Sequence, residues 1–199
     1  MSDVEEVLGF WFGELDPSGR VDAVHSARWW RKDTAFDQEI RARFEPLHAT
    51  VARGERDAWL STPRGRLAYV IVLDQFSRNM FRDSVRAFAC DERALHAALA
   101  GIELGVDRRL QYEERSFFYM PLMHSEDLAT QERCVALFTA FRDEQSGALK
   151  TRLAGTLKYA EQHRDIVRRF GRFPHRNALL GRTSTAEEVE FLTQPGSSF

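Results

Sequence analysis

Thr62-Pro63-Arg64-Gly65-Arg66-Leu67-Ala68-Tyr69-Val70-Ile71-Val72-Leu73-Asp74-Gln75-Phe76-Ser77-Arg78-Asn79 is the stretch that decides the fold. Thr62 before Pro63 is a helix start. The hydroxyl can cap, and a proline at the first helical position gives up only an amide that has no intrahelical partner. Residues 67–76 are apolar nearly all round, so a helix here has no face for water and must be central and buried. It closes on the polar run Asp74-Gln75-Phe76-Ser77-Arg78-Asn79, the first place to look for function.

Further helices read outward from this one. Ser2 and Glu5 form a capping box for a helix carrying Val4, Val7, Leu8 and Trp11, which Gly13 ends. Residues 14–32 read as a loop closed by Trp29-Trp30. Asp33 or Thr34 caps a helix with Phe36, Ile40, Phe44, Leu47 and Val51, which Pro46 is expected to kink or split. Asp91 caps the next, with Leu95, Leu99 and Ile102, closed by Gly105. Residues 112–123 predict an aromatic helix with Pro121 near its end. Ser125 is placed to cap a helix through Leu128, Gln131, Val135, Phe138 and Phe141. A long helix over 149–170 stops at Gly171, and Ser184 with Glu187 forms a last capping box. No run alternates as a half-buried strand does. The reading is all-α, about eight helices with short connectors that imply antiparallel neighbours, in one domain over residues 1–199.

A chain of 199 residues with fifteen Phe and four Trp can build its core without staples. A net charge of -2 offers no global field for nucleic acid or an anionic membrane. Cys90 and Cys134 sit in neither a metal knuckle nor a Cys-x-x-Cys pair. The acidic start is unlike a signal peptide, and no apolar stretch approaches the ~20 residues that span a bilayer, so the expected compartment is the cytoplasm.

Three polar groups carry the chemistry. Asp74 and Arg78 are four apart and share a helical face, with Asn79 beside them. They are either a base and anchor for a ligand or an ion pair fixing a helix end. His124 with Glu126 and Asp127 is a general acid/base set, although the two acids also suit the first turn of a helix. Residues 163–177 hold five Arg, two His and one Asp, a local charge of +4 with His neutral. Arginine forks match carboxylate and phosphate, so His163, Arg172, His175, Arg176 and Asn177 read as an anion-binding corner. The alternative pairs these arginines with Glu126, Asp127, Asp74 or the carboxylate of Phe199. No His pair has tight ligand spacing, and there is neither a phosphate-cradling glycine loop nor a nucleophile elbow, so no metal or cofactor is expected.

Phe10-Trp11-Phe12-Gly13, Thr62-Pro63-Arg64-Gly65-Arg66-Leu67, Leu73-Asp74-Gln75-Phe76-Ser77-Arg78-Asn79, His124-Ser125-Glu126-Asp127, His163-Arg164-Asp165 through Arg172-Phe173-Pro174-His175-Arg176-Asn177 and Pro195-Gly196-Ser197-Ser198-Phe199 together resemble a bacterial family. It is catalogued as domain of unknown function 924, and the resemblance spans essentially the whole chain. Ser77 departs from it, since family members often carry Pro there. The resemblance implies a tetratricopeptide-repeat-like superhelical stack of antiparallel helix pairs, and no reaction. Two functions are then expected to compete. One is a small-anion pocket with hydrolytic or acid/base capacity, in which Asp74, His124 and His175 are catalytic and Arg78, Asn79, His163, Arg172, Arg176 and Asn177 bind. The other is a helical scaffold for a peptide or protein partner, whose polar motifs pin packing.

Overall fold

The structure is a computed structural model that describes residues 2–197. Every regular element among the described residues is helical. The chain divides into two compact units, Met1–Pro121 and Leu122–Phe199.

In the first unit the segment 63–80 is central. Thr62 Oγ1 accepts from the Gly65 amide at 3.1 Å and starts α4 (Pro63–Val70), after α1 (Asp3–Phe12), α2 (Ala23–Trp29) and α3 (Thr34–Ala52). The helix then widens into a π turn, Ile71–Phe76, and continues as α5 (Ser77–Met80). Leu67, Val70, Ile71, Val72, Leu73 and Phe76 are fully buried. Packed around this segment are α1, α3 and α6 (Asp91–Glu103). Phe10 and Trp11 of α1 bring their rings to within 6.0 Å and 5.8 Å of Phe76. Each such aromatic pair contributes about 0.5–1.5 kcal/mol beyond the area it buries.

The structure differs from the sequence reading in several places, each for a local reason. The expected loop 14–32 contains α2, capped by Asp22, which accepts from the His25 amide at 2.8 Å. None of its seven residues is buried, so it carries no apolar stripe to read. Pro46 does not split α3, whose buried Phe44, His48 and Val51 hold the helix to the core on both sides of it. Asp91 begins α6 but does not cap it, because its carboxylate is turned to Arg78. The aromatic segment is two helices, α7 (Tyr112–Phe118) and α8 (Met120–Met123). Pro121 has no amide to give the carbonyl four residues back.

The second unit is built on α9 (Leu128–Asp143) and α10 (Gly147–Phe170), an antiparallel pair joined by three residues, 144–146. Phe138 and Phe141 of α9 and Leu153, Leu157 and Ile166 of α10 are buried. Gly171 ends α10 with φ 67°, a left-handed conformation that glycine takes without strain. Residues 174–176 form a 3-10 turn, and α11 is Ala186–Leu192. Its capping box is Thr185 with Glu188, one residue on from the expected Ser184 and Glu187. Phe199 lies outside the described residues, as does its carboxylate. No described helix is long and apolar enough to cross a membrane.

Gly101 of α6 is fixed by close approach. A Cβ there would lie 2.6 Å from both Arg66 Cδ and Phe118 Cζ. Alanine gains about 1 kcal/mol of helix propensity over glycine, but overpacking a buried site costs about 1–3 kcal/mol. Gly101→Ala is therefore expected to lower the urea midpoint, with an unchanged denaturant slope.

Candidate functional site

In the first unit Asp74, Arg78 and Asn79 take part in two ion-pair groups. Asp74 is 1% exposed, with Gln75 Nε2 donating to its Oδ2 at 2.6 Å and Arg78 Nη1 at 3.0 Å from its Oδ1. Arg78 also forks onto Asp91, at 2.8 and 3.0 Å. Burial alone would lower the Arg78 pKa, but Asp74 and Asp91 outweigh it and hold the guanidinium above its ordinary value. Asn79 Nδ2 donates to Asp37 Oδ1 at 2.8 Å, and Arg82 forks onto the same carboxylate. The π turn bears on this end of the helix. Ser77 donates its amide to the Asp74 carbonyl and its hydroxyl, at 2.6 Å, to the Leu73 carbonyl. His48 Nε2 lies 2.8 Å from the same hydroxyl oxygen.

The second unit gathers histidines. The His124 and His163 rings are 6.5 Å apart. Phe173 stands 5.6 Å from both His163 and His175, and the Arg176 guanidinium lies 4.6 Å over the Phe173 ring. His163 and Arg176 are buried, while His124 and His175 are half-buried. Burial first, then repulsion from His124 and Arg176, pushes His163 down to about 3. Its hydrogen bond to Tyr159 opposes the shift. Burial and Arg176 push His175 down to about 4. His163 Nδ1 lies 2.8 Å from the Tyr159 carbonyl, which can only accept, so Nδ1 carries the proton and Nε2 is the basic nitrogen of the neutral ring.

Asp127, not Ser125, caps α9, accepting from the Thr130 amide at 2.7 Å. Glu126 is not in the helix. Its Oε1 accepts from the Phe173 amide at 2.7 Å, and Arg182 forks onto both oxygens at 2.6 and 2.9 Å. Burial raises the Glu126 pKa, but these bonds outweigh it and hold the carboxyl below its usual range. Arg182 Nε also donates to Asn177 Oδ1 at 3.0 Å. Arg172 forks onto Glu188, to which Asn177 also donates, at 3.3 Å. Arg164 pairs with Asp165, Arg168 with Asp165 and Glu132, and Arg169 with Glu187.

Arg182 and Glu188 are thus the residues that sequence reasoning missed. Arg182 lies outside every periodic segment. Glu188 could have been found, since Thr185 and Glu188 have the same three-residue capping-box spacing as the pair chosen. Among the described residues no group of three or more His, Cys, Asp or Glu is arranged to hold a metal.

An all-helical chain with a buried ion-paired helix end and a histidine–arginine cluster defines a class by geometry, not by reaction. The chain belongs to the bacterial family of proteins of unknown function DUF924, whose model matches residues 7–196. It is similar to a solved Agrobacterium tumefaciens protein described as of unknown function, at 37% identity and a TM-score of 0.80. The match covers 95% of this chain and 96% of that one. No curated protein sequence matches the chain.

Two outcomes follow from the pairing. Arg78→Met removes the guanidinium from the buried Asp74 carboxylate and is expected to cost about 3–5 kcal/mol in chemical unfolding. Adding Asp74→Asn should recover much of that loss. The Glu188 carboxyl is held down to about 2, chiefly by Arg172. Its stabilising effect is therefore complete above the ordinary carboxylate range and is lost as pH falls through 2. Glu188→Gln should lower the melting temperature at pH 7 and flatten its fall between about pH 4.5 and 2.

Proposed function

We propose that in the cytoplasm this chain binds a small phosphorylated or carboxylated anion at the cluster of His124, His163, His175 and Arg176, and that His124 and His175 exchange protons with it. The observation that supports this most is the convergence of His163, His175 and the Arg176 guanidinium on Phe173, with the His124 ring beside His163. With His163 near 3 and His175 near 4, both rings are uncharged at neutral pH. Returning His175 to the ordinary range near 6.5 takes roughly 3 kcal/mol. One negative charge about 4 Å away contributes about 4 kcal/mol at an effective dielectric of 20. A bound anion close to the ring therefore opposes the shift that burial imposes and favours the protonated imidazole.

Roles follow from accessibility. His124 and His175 are half-buried and can meet a guest. The buried His163, tied to Tyr159, acts as a positioning residue. Arg176 supplies the fixed charge. Arg172 and Asn177 support the corner through Glu188. If the site turns over, hydrolysis or proton transfer on an anionic substrate suits these groups.

A second reading has its own observation. Asp74, Arg78, Arg172 and Glu126 are all engaged in ion pairs, as a scaffold that uses polar motifs to pin helix packing would require. Its partner would be a peptide or another protein.

Histidine NMR titration and thermal unfolding, each with and without inorganic phosphate or acetate, separate the two. Under the anion reading, phosphate or acetate raises the titration midpoint of His175. At ~100 times its dissociation constant the anion also stabilises by about 2.7 kcal/mol. Both effects are lost in His124→Ala and Arg176→Ala. If wild type shifts with neither anion and both variants are strongly destabilised, the scaffold reading replaces it.

A further inference from the structure

The unit Met1–Pro121 contains an open cleft of about 440 Å³ that the sites above leave unused. It is lined from the 3-10 turn Asp57–Ser61, α4 and α6. Its key polar group is Arg66, 7% exposed. Nη1 donates to the Ala97 carbonyl at 2.9 Å and Nη2 to the Leu60 carbonyl at 2.7 Å. Its Nε meets no acceptor, and no carboxylate among the described residues pairs with it. Nearby arginines are treated differently: Arg64 meets Glu5 and Glu114, and Arg93 meets Asp57. A buried cation without a counter-ion is costly, and burial alone pushes the Arg66 pKa below its usual value. The fold nevertheless makes room for it, because Gly101 has no Cβ to strike Arg66 Cδ.

The rest of the cleft limits the guest. Asp57 is occupied by the Tyr69 hydroxyl, at 2.9 Å, and by Arg93, whereas Glu92 is an exposed carboxylate on the lining. The exposed Glu92 carboxylate repels a multiply charged phosphate more than a single carboxylate. Leu60, Ala97 and Ala100 supply apolar wall, and the volume falls within the range of small-molecule pockets. We propose that this cleft binds a small monocarboxylate with an apolar body, its carboxylate serving as the counter-ion of Arg66 and its body lying on Leu60, Ala97 and Ala100. The site uses none of the histidine cluster's residues, and each proposal stands or falls alone.

The test is a titration of hexanoate into the full chain carrying 13C-methyl alanine, followed by NMR. Saturable shifts are expected at the Ala97 and Ala100 methyls, with hexanamide and phosphate at least about tenfold weaker. Ala100→Trp fills the cleft from an exposed position without touching the Arg66 bonds, and should abolish the shifts. Arg66→Lys keeps the charge but loses the fork and should weaken them, while His124→Ala should leave them unchanged. No saturable shift with hexanoate, equal binding of hexanamide or phosphate, or undiminished binding in Ala100→Trp would overturn the proposal.

Discussion

A helix buried on every side over residues 65–77 sets its charges against protein groups rather than water, and residues 63–80 show what that demands. Arg66 near the start is held by two backbone carbonyls, with its Nε unmet and no carboxylate among the described residues beside it. Asp74 and Arg78 near the end satisfy each other, with Asp91 completing the group. Removing one partner exposes the other to the full desolvation cost, which exceeds what the pair itself contributes. The neighbours are arranged around that need. Asp91 is turned from capping α6 toward Arg78, and Gly101 is left bare so that Arg66 can lie flat. Helix packing in this unit follows its polar bonds as much as its apolar contacts.

The second unit answers a different problem with the same kind of bond. The segment after Gly171 is irregular, so its amides and carbonyls lack a helical ladder. Glu126 accepts the Phe173 amide, and Arg182 links Glu126 to the Phe173 carbonyl and to Asn177. That clamp fixes Phe173, and Phe173 is the ring that His163, His175 and Arg176 all meet. The ring against which His163 and His175 pack is therefore held by a carboxylate and an arginine 56 residues apart.

Legibility followed the range of the interaction. Thr62, Asp33 and Gly171 act within a turn of their own helices, and their roles were readable from neighbouring residues. So was the burial of residues 67–76, because an unbroken apolar run leaves a helix no alternative. Pro46 does not split α3 because its propensity argues locally, while Phe44 and Val51 anchor the helix on both sides of it. Ser125 and Asp127 both have capping chemistry, and only the backbone decides between them. Arg182 and its hold on Glu126 were invisible, since nothing in a sequence marks which of many acids an arginine in an irregular segment will reach. The histidine cluster was half legible. Its residues are named by composition, but that His163, His175 and Arg176 meet on Phe173 depends on where the Glu126 clamp holds that ring.

The arginines of residues 163–177 show why composition alone overstates a basic patch. A local charge of +4 suggests a broad anion field. In the folded unit Arg164, Arg168, Arg169 and Arg172 each lie against an acid, which removes most of that field. What is left is short-ranged and specific. His163 and His175 are held neutral, and their lone pairs come at no cost in charge until something negative arrives. Under the anion-binding proposal, the selectivity of such a site would come from the rise in imidazole basicity that a bound anion causes, rather than from net charge. Its affinity should then depend on pH more steeply than on salt, because buried groups are screened far less than exposed ones.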